Sequence, residues 1–279
     1  MTLSQRRRVE RIVVYVGAII VFLIMAFPLY GVILTSIQHE SDIRSTNVRF
    51  FPRYVTLEHF REVLTPGHIV PIREAMKNSV IISILTAVVT VALALPATYA
   101  LARLRMPGKR FILGALVSVY LFPTLLFVLP LYIQAVKRGL TDTFLGLLIP
   151  YVAFSLPFTI WILRSFLQAL PIEVEEAAQL DGCNYLQLFV QIVLPMMRPG
   201  IVAGLLMVFV LAWVEFLTPL LFTSQLKLLP VSLGLYRSTY DIKIGQLAAA
   251  AVLTALPVVV LTAIFQRMIT QVITAGANK

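Results

Sequence analysis

Six long apolar blocks, separated by charged residues, constrain the fold of this chain more than any other feature of its sequence. A helix rises about 1.5 Å per residue, so roughly 20 apolar residues cross the ~30 Å hydrocarbon core of a bilayer. The blocks cover residues 12–34, 79–102, 111–136, 144–163, 201–222 and 247–265. The sequence therefore predicts an all-α integral membrane protein with six transmembrane helices, forming one transmembrane domain over residues 1–279.

The composition excludes most other classes of protein. Hydrophobic residues make up 59% of the chain and charged residues 13%, whereas a soluble domain is about 45–50% apolar. The net charge of +10 does not indicate nucleic-acid binding, because the lysines and arginines are scattered between the apolar blocks. A lone cysteine, Cys183, excludes an internal disulfide, and the three histidines lack the spacing of metal ligands. We therefore expect no metal site.

The basic residues predict how the chain lies in the membrane. Arginines at positions 6, 7, 8 and 11 precede the first block, which has 23 residues and is too long for the ~7–15-residue core of a signal peptide. Because cations flanking the first helix favour the cytoplasmic side, we expect both termini to be cytoplasmic. Residues 103–110 contain four cations and no acid, and they fall on the same side.

The segment 164–200 is unusually acidic for a cytoplasmic loop, since it holds Glu173, Glu175, Glu176 and Asp181. Pro171 suits the first turn of a helix, and Gly182 can adopt the left-handed conformation that ends one. A second helical piece follows, with Tyr185, Leu186, Phe189 and Ile192 expected on one face, and prolines break the chain before the next span. The small Ala177 and Ala178 would let this segment lie close against another surface. The alternative is an ordinary solvated connector.

At these residues the chain resembles the permease subunits of ABC importers. Their signature is E-A-A, three residues, glycine, nine residues and I-x-L-P, and it is matched here by Glu176, Ala177, Ala178, Gly182, Ile192, Leu194 and Pro195. The resemblance extends over nearly the whole chain and is closest to the smaller permease of maltose-type carbohydrate importers. It includes the run Pro-Ala-Thr-Tyr-Ala-Leu-Ala-Arg at 96–103.

This resemblance implies a type I ABC importer permease fold in which the loop 164–200 carries a cytoplasmic coupling helix. The residues expected to contact an ATPase subunit are Glu175, Glu176, Ala177, Ala178, Asp181, Gly182, Leu194 and Pro195. The implied partners are two ATPase subunits, an extracytoplasmic solute-binding protein and a second permease, in a heterodimer or alternatively a homodimer. The implied location is the bacterial or archaeal plasma (inner) membrane, and the implied substrate is a sugar or oligosaccharide, alternatively a glycerol-phosphate-like solute.

The chain itself shows no sign of catalysis. It lacks the phosphate-binding loop G-x-x-x-x-G-K-[ST], and no nucleophile and base form a recognisable pattern. We therefore expect no cofactor on this chain, with ATP and Mg²⁺ bound by the partner ATPase. A secondary transporter would need coupling-ion sites and a repeat of spans, and an intramembrane enzyme would need two ionisable groups at membrane depth. Neither pattern is visible.

Glu215 is the only ionisable residue well inside a predicted span. A carboxylate at membrane depth is costly unless it faces a polar cavity or a partner. Together with Trp213 and Phe216 it is a candidate for the substrate pathway, because carboxylates bind sugar hydroxyls and aromatic rings stack on sugars. The alternative is a hydrogen-bonded brace. Similar sugar permeases often have Asn where this chain has Val214, so no polar role is carried over to that position.

The loop between the last two blocks mixes aromatic and cationic side chains at Tyr236, Arg237 and Tyr240. These residues are candidates for contact with an acidic lobe of the binding protein, and the resemblance implies that this loop reaches toward the ligand cleft of that protein. The alternative is an interfacial aromatic belt with flanking cations.

Overall fold

A computed structural model of the chain describes residues 3–45, 49–67, 70–236 and 243–277. All regular structure in these residues is helical. The helices are α1 (Leu3–Ile37), α2 (Glu40–Ile43), α3 (Glu58–Leu64), α4 (Ile72–Arg103), α5 (Lys109–Leu121), α6 (Thr124–Lys137), α7 (Phe144–Ala169), α8 (Ile172–Leu180), α9 (Tyr185–Gln187), a π-helical segment (Leu188–Val193), α10 (Leu194–Met196), α11 (Arg198–Val214), α12 (Leu217–Phe222), α13 (Leu229–Leu235) and α14 (Ile244–Ala277).

Within the described residues, four helices are individually long and apolar enough to cross a membrane. They cover Glu10–Ile37, Ile72–Arg103, Phe144–Ala169 and Ile244–Gln266. A fifth span results if Tyr185–Met196 and Arg198–Val214, which are bent by 73° at their junction, are counted together. The all-helical membrane architecture is therefore confirmed, whereas the predicted count of six continuous spans is not.

Two predicted spans are interrupted at prolines. The block predicted over 111–136 forms α5 and α6, because the ring of Pro123 disfavours a helical conformation at Phe122, which is extended with φ −84° and ψ 139°. The block predicted over 201–222 stops at Val214 and resumes as α12. Pro219 has no amide proton to bond the carbonyl of Glu215, and its ring clashes with that carbonyl, so the helix breaks there.

The helical piece after Gly182 also differs from the prediction. A π-helix puts side chains five residues apart on one side, and Leu188 and Val193 are the two buried residues of this segment. Of the four residues expected on one face, Tyr185 and Leu186 are exposed, whereas Phe189 and Ile192 are half-buried. Pro195 lacks the amide that would bond the carbonyl four residues earlier, which accounts for the wider turn.

The chain divides into two compact units, and the first comprises Met1–Arg73 and Leu233–Leu256. Its short helix α3 is held by one buried and one partly buried polar contact. The Nε2 atom of His59 lies 2.9 Å from the carbonyl oxygen of Gln38, and the amide of Gln246 donates to the carboxylate of Glu62. Gly245 packs so tightly on the His59 ring that a Cβ at position 245 would lie 2.2 Å from Nε2. These contacts tie α3 to the end of α1 and the start of α14.

The second unit comprises Glu74–Ser232 and Pro257–Lys279, and it contains two apolar clusters. One lies at the α8 end and contains Ala94, Tyr99, Leu101, Ile160, Leu163, Leu167, Ala178, Leu188, Val193 and Met197. The other lies at the Asp142 end and contains Ile82, Val128, Ala135, Leu147, Tyr151, Ala212, Phe222 and Leu228. Since α4 and α7 contribute to both clusters, these two helices connect the two ends of the unit.

Candidate functional site

The predicted coupling loop forms a helix, a glycine turn and a second helical segment. Gly182 has φ +91°, so the predicted left-handed turn is confirmed. Asn184 then caps the next helix reciprocally with Gln187, since each side chain accepts a hydrogen bond from the other residue's backbone amide, at 2.9 and 3.0 Å. The loop therefore has a defined backbone structure of two helical segments joined by a glycine turn.

The helix α8 has one buried and one exposed face. Glu175 and Ala178 are three residues apart and both are buried, with Ala178 inside the apolar cluster at the α8 end. Glu176 and Ala177 are exposed, as are Asp181 and Gly182. Of the remaining residues predicted to contact the ATPase, Leu194 is half-buried and Pro195 is exposed. An outward face centred on Glu176 is thus available for a partner, and the docking itself stays a prediction.

Glu175 has a structural partner that the sequence analysis missed. The Nε atom of Arg103 donates to Glu175 Oε1 at 2.7 Å, and the same guanidinium donates to the backbone carbonyls of Leu167 and Leu170 at 3.0 Å each. The only sequence signal was the cation that ends the run 96–103. Glu175 therefore packs inward, and Glu176 is the carboxylate of the pair that faces outward.

A cavity of about 190 Å³ lies where the two helix interruptions meet. It opens between the α5–α6 break, the wall of α7 and the end of α11, and its lining residues are Val119, Phe122, Thr124, Tyr151, Phe154, Ser155, Leu211, Ala212 and Glu215. Hydroxyl groups, a carboxylate and aromatic rings thus surround one space. This mixture suits a polyhydroxylated solute, because aromatic faces and a few placed polar groups are typical of ligand sites.

Glu215 was a candidate for the substrate pathway or for a hydrogen-bonded brace, and the structure shows features of both. It lines the cavity, and its Oε1 atom accepts hydrogen bonds from the amide and the hydroxyl of Thr218 at 3.0 Å each, which caps α12. Trp213, by contrast, is 1% exposed and stacks on Phe209 with ring centroids 5.6 Å apart. Phe216 is 45% exposed at the break. The structure therefore places only Glu215 of these three candidates in the lining of the cavity.

Substituting Glu215 should separate its two contacts. We expect Glu215→Gln to keep the cap on α12, since the amide oxygen still accepts from Thr218, and to change the transport rate or solute preference. Glu215→Ala should also lose the cap, at about 1–2 kcal/mol. Thr218→Val is the matched control, because it removes the hydroxyl bond and leaves the cavity lining intact. Parent transport of every tested solute by both Glu215 variants would show that Glu215 has no role in the pathway.

Asp142 holds a distant loop at the other end of the second unit. It has φ +57°, and its carboxylate accepts hydrogen bonds from the amides of Ser224, Gln225 and Leu226 at 2.6, 2.7 and 3.1 Å, and from the Ser224 hydroxyl at 2.8 Å. Burial alone would raise the pKa of Asp142, but these hydrogen bonds lower it to about 2. We name this arrangement the Asp142 clasp. Nothing in the sequence pattern indicated it.

The segment after the clasp is fixed from a second side. The amide of Asn78 donates to the carbonyl of Lys227 at 3.0 Å, and the amide of Leu229 donates to the Ser79 hydroxyl at 2.9 Å. The chain that leaves α12 is therefore anchored both to Asp142, just before α7, and to the second turn of α4.

Tyr236 of the predicted binding-protein contact is 5% exposed. Burial and the nearby Glu62 raise the pKa of its phenol to about 12. Arg237 and Tyr240 lie outside the described residues, so this contact stays a prediction. In the part of the chain that the structure describes, no three His, Cys, Asp or Glu side chains converge as metal ligands would.

Sequence comparison places the chain among transport permeases. It is 34% identical to the inner membrane ABC transporter permease protein YcjP of Escherichia coli over 99% of both chains. It is 33% identical to the trehalose transport system permease protein SugB of Mycobacterium tuberculosis, covering 90% of this chain and 92% of the relative. It is also 32% identical to the trehalose/maltose transport system permease protein MalG of Thermococcus litoralis over 97% of both.

The fold has a solved counterpart in a bacterial ABC transporter that imports the acidic polysaccharide alginate. The TM-score is 0.77 at 20% identity, and the match covers 96% of this chain and 98% of that chain. Residues 92–274 also match the family described as the inner membrane component of binding-protein-dependent transport systems. The resemblance inferred from the E-A-A signature is thereby confirmed, and the chain belongs to this family of ABC importer permeases.

Proposed function

We propose that this permease passes a sugar or oligosaccharide across the membrane, driven by a separate cytoplasmic ATPase that docks on the loop around Glu176. The single observation that carries the proposal is the geometry of α8, whose outer face presents Glu176 and Ala177 while its inner face is packed into the second unit. Relatives named for trehalose, trehalose/maltose and diacetylchitobiose transport support the choice of substrate class.

The work of this chain is mechanical. ATP and Mg²⁺ would bind to the partner ATPase, and this chain would bind no cofactor. A change in the ATPase would displace α8, and the displacement would alter access to the cavity lined by Glu215, Tyr151 and Ser155. Helix interruptions leave backbone groups without hydrogen bonds, and at membrane depth such groups are tolerated where they line a cavity. A cavity at the two interruptions is therefore a suitable place for hydroxyl and carboxylate groups to bind a solute.

The remaining partners follow the same proposal. A second permease, different from this chain, would complete the translocation pathway, with a homodimer as the alternative. Two ATPase subunits would dock on the coupling loops, and an extracytoplasmic binding protein would deliver the solute near Tyr236, Arg237 and Tyr240. The proposed location is the inner membrane of a bacterium or the plasma membrane of an archaeon, with both termini in the cytoplasm.

Cys183 tests the orientation, since it follows Gly182 in the coupling loop and is partly exposed. A membrane-impermeant maleimide should miss Cys183 in intact cells and label it in inverted vesicles stripped of the ATPase. Leu57→Cys in a Cys183→Ser background is the matched control. With the N-terminus in the cytoplasm, the segment between the first two predicted spans lies outside, and Leu57 is exposed there and should label in intact cells. Labelling of Cys183 in intact cells would reverse the orientation.

The substrate class is tested by uptake. Cells or proteoliposomes containing the transporter should accumulate at least one of radiolabelled trehalose, maltose and N,N′-diacetylchitobiose, and a thermal shift of the binding protein should identify the same sugar. Glycerol 3-phosphate tests the alternative substrate. Uptake of glycerol 3-phosphate with no uptake of any sugar would refute the proposed substrate class and leave the family assignment intact.

A further inference from the structure

Tyr99 and Arg103 lie one helical turn apart near the end of α4, and each contacts the coupling loop. Arg103 Nε donates to Glu175 Oε1 at 2.7 Å, and the ring of Tyr99 packs on Phe189 in the segment that follows α8. Residues four apart lie on one face of a helix, so this face of α4 contacts two parts of the loop, and Arg103 and Glu175 are 72 residues apart in sequence. The function proposed above uses neither Tyr99 nor Arg103.

The same group of residues reaches two further elements. The Nη2 atom of Arg103 donates to the carbonyls of Leu167 and Leu170 at the C-terminal end of α7, where the Leu167 carbonyl also accepts from the amide of Leu170. The ring of Tyr99 packs edge-on against Phe189 of the π-helical segment, with centroids 5.5 Å apart. One site thus joins α4, α7, α8 and the π-helical segment.

The ion pair within this site is buried. The side chains of Arg103 and Glu175 are 12% and 7% exposed, whereas Arg105 and Glu176, nearby in sequence, are exposed. A buried ion pair adds little to stability compared with an apolar replacement, but removing one partner leaves an uncompensated charge. The pair therefore favours a single orientation of α8 on α4 and α7. Apolar packing at Ala178 alone is less directional and would allow other orientations.

We propose that Tyr99, Arg103 and Glu175 form a clamp that positions the coupling helix and transmits its displacement to α4 and α7. Arg103 is a positioning residue in this proposal, since it acts through Glu175 and not on the solute. The helix α7 has Leu167 at the clamp and Tyr151 and Ser155 at the cavity, so a movement imposed at one end reaches the cavity wall through a single helix. The inference rests on the proposed function, because an ATPase must displace α8.

Amide hydrogen exchange tests the positioning. The full-length chain, purified with its partners into lipid nanodiscs, is compared as parent, Arg103→Met and Arg105→Met, the last being the matched exposed control. We expect exchange in 172–180 to become about tenfold or more faster in Arg103→Met, while 124–137 and the Arg105→Met protein stay unchanged. Unchanged exchange in 172–180, or equal acceleration in 124–137, would overturn the clamp.

Transport stoichiometry tests the transmission. In proteoliposomes supplied with ATP and the same radiolabelled sugars, Arg103→Met should keep ATP hydrolysis and lose about tenfold or more of the sugar imported per ATP. The substitution removes the polar link from Glu175 to α4 and α7 and leaves the outer face of α8 and the apolar packing of Ala178 in place. Arg103→Lys should restore part of that ratio, because a lysine keeps the charge and lacks the guanidinium fork. Tyr99→Phe, which removes only the hydroxyl, should lower the ratio less than Arg103→Met. If the Arg103→Met protein imports as much sugar per ATP as the parent protein, the proposal is overturned.

Failure of the clamp and failure of the proposed function give different results. If Glu176→Lys releases the ATPase while Arg103→Met keeps the parent ratio, only the clamp is rejected. If Glu176→Lys keeps the ATPase bound and sugar uptake intact, the docking assignment fails and the clamp inference fails with it.

Discussion

Glu176→Lys is expected to release the ATPase and to lower solute uptake by more than tenfold, while the membrane bundle stays assembled. The carboxylate is exposed on the outer face of α8, so its reversal disturbs no internal contact. In the proposed complex Glu176 faces a basic surface of the ATPase, and a like charge placed against that surface would cost several kcal/mol, where each ~1.4 kcal/mol is a factor of ten in affinity. The measurement is copurification of the ATPase through a tag on this chain, together with uptake of the labelled sugars.

Two further variants make this result specific. Glu58→Lys introduces the same charge change at an exposed position of α3 and should leave both ATPase association and uptake at parent values. Gly182→Asp should weaken coupling by a different route, because φ +91° is strained for any other residue by roughly 1–2 kcal/mol although no atom crowds the position. A Glu176→Lys protein that keeps its ATPase and its uptake would refute the coupling assignment.

Asp142→Ala is expected to cause the largest loss of stability among single substitutions at the Asp142 end of the second unit. The variant removes the charged acceptor of three backbone amides, at about 0.5–1.5 kcal/mol for each hydrogen bond because water reaches the amides of Ser224 and Gln225, and it puts at φ +57° an alanine, which tolerates that region less well than aspartate. Asp142→Gly relieves only the backbone strain, and Asp142→Asn keeps one acceptor oxygen. Thermal unfolding in detergent should therefore rank the losses as Ala, then Gly, then Asn. Equal stability of all three with the parent would show that the clasp is not structural.

The Asp142 clasp should also give an acid-dependent loss of stability. Its folded pKa of about 2 lies below the ordinary value of 3.8, so the ionised carboxylate stabilises the folded state fully above pH 3.8. That contribution should decrease as the pH falls from 3.8 toward 2. The Asp142→Asn protein should lack this component, and a parallel pH profile for parent and variant would assign the acid sensitivity to other groups.

Much of the coupling loop could be predicted from sequence because its determinants are local. Gly182 is one of the few residue types that readily enter the left-handed region, and the spacing from Glu176 to Pro195 identified the family that the comparisons confirm. The partner of Glu175 could not be predicted, since Arg103 lies 72 residues away and a single cation at the end of a span has many possible roles. The Asp142 clasp was missed for the same reason.

Prolines in the apolar blocks indicated where a helix could be interrupted, but they did not show which of these sites would break. Pro123 and Pro219 break their helices, whereas Pro28, Pro96, Pro130, Pro150, Pro157 and Pro257 lie inside continuous ones. What distinguishes the break near Pro219 is Glu215, whose carboxylate caps the new helix at Thr218 and offsets the lost backbone hydrogen bond. Such compensation depends on side-chain geometry that a hydropathy pattern does not contain, so a continuous span was predicted.

The most direct test of the central claim is the energy source of transport by the purified protein. The chain, isolated with its copurifying partners and reconstituted into proteoliposomes, should import a labelled sugar only when ATP is present on the side of residues 172–182 and the binding protein on the opposite side. An ATPase should copurify in the same preparation. Sugar uptake that proceeds without ATP and follows an ion gradient, with no ATPase bound, would contradict the account.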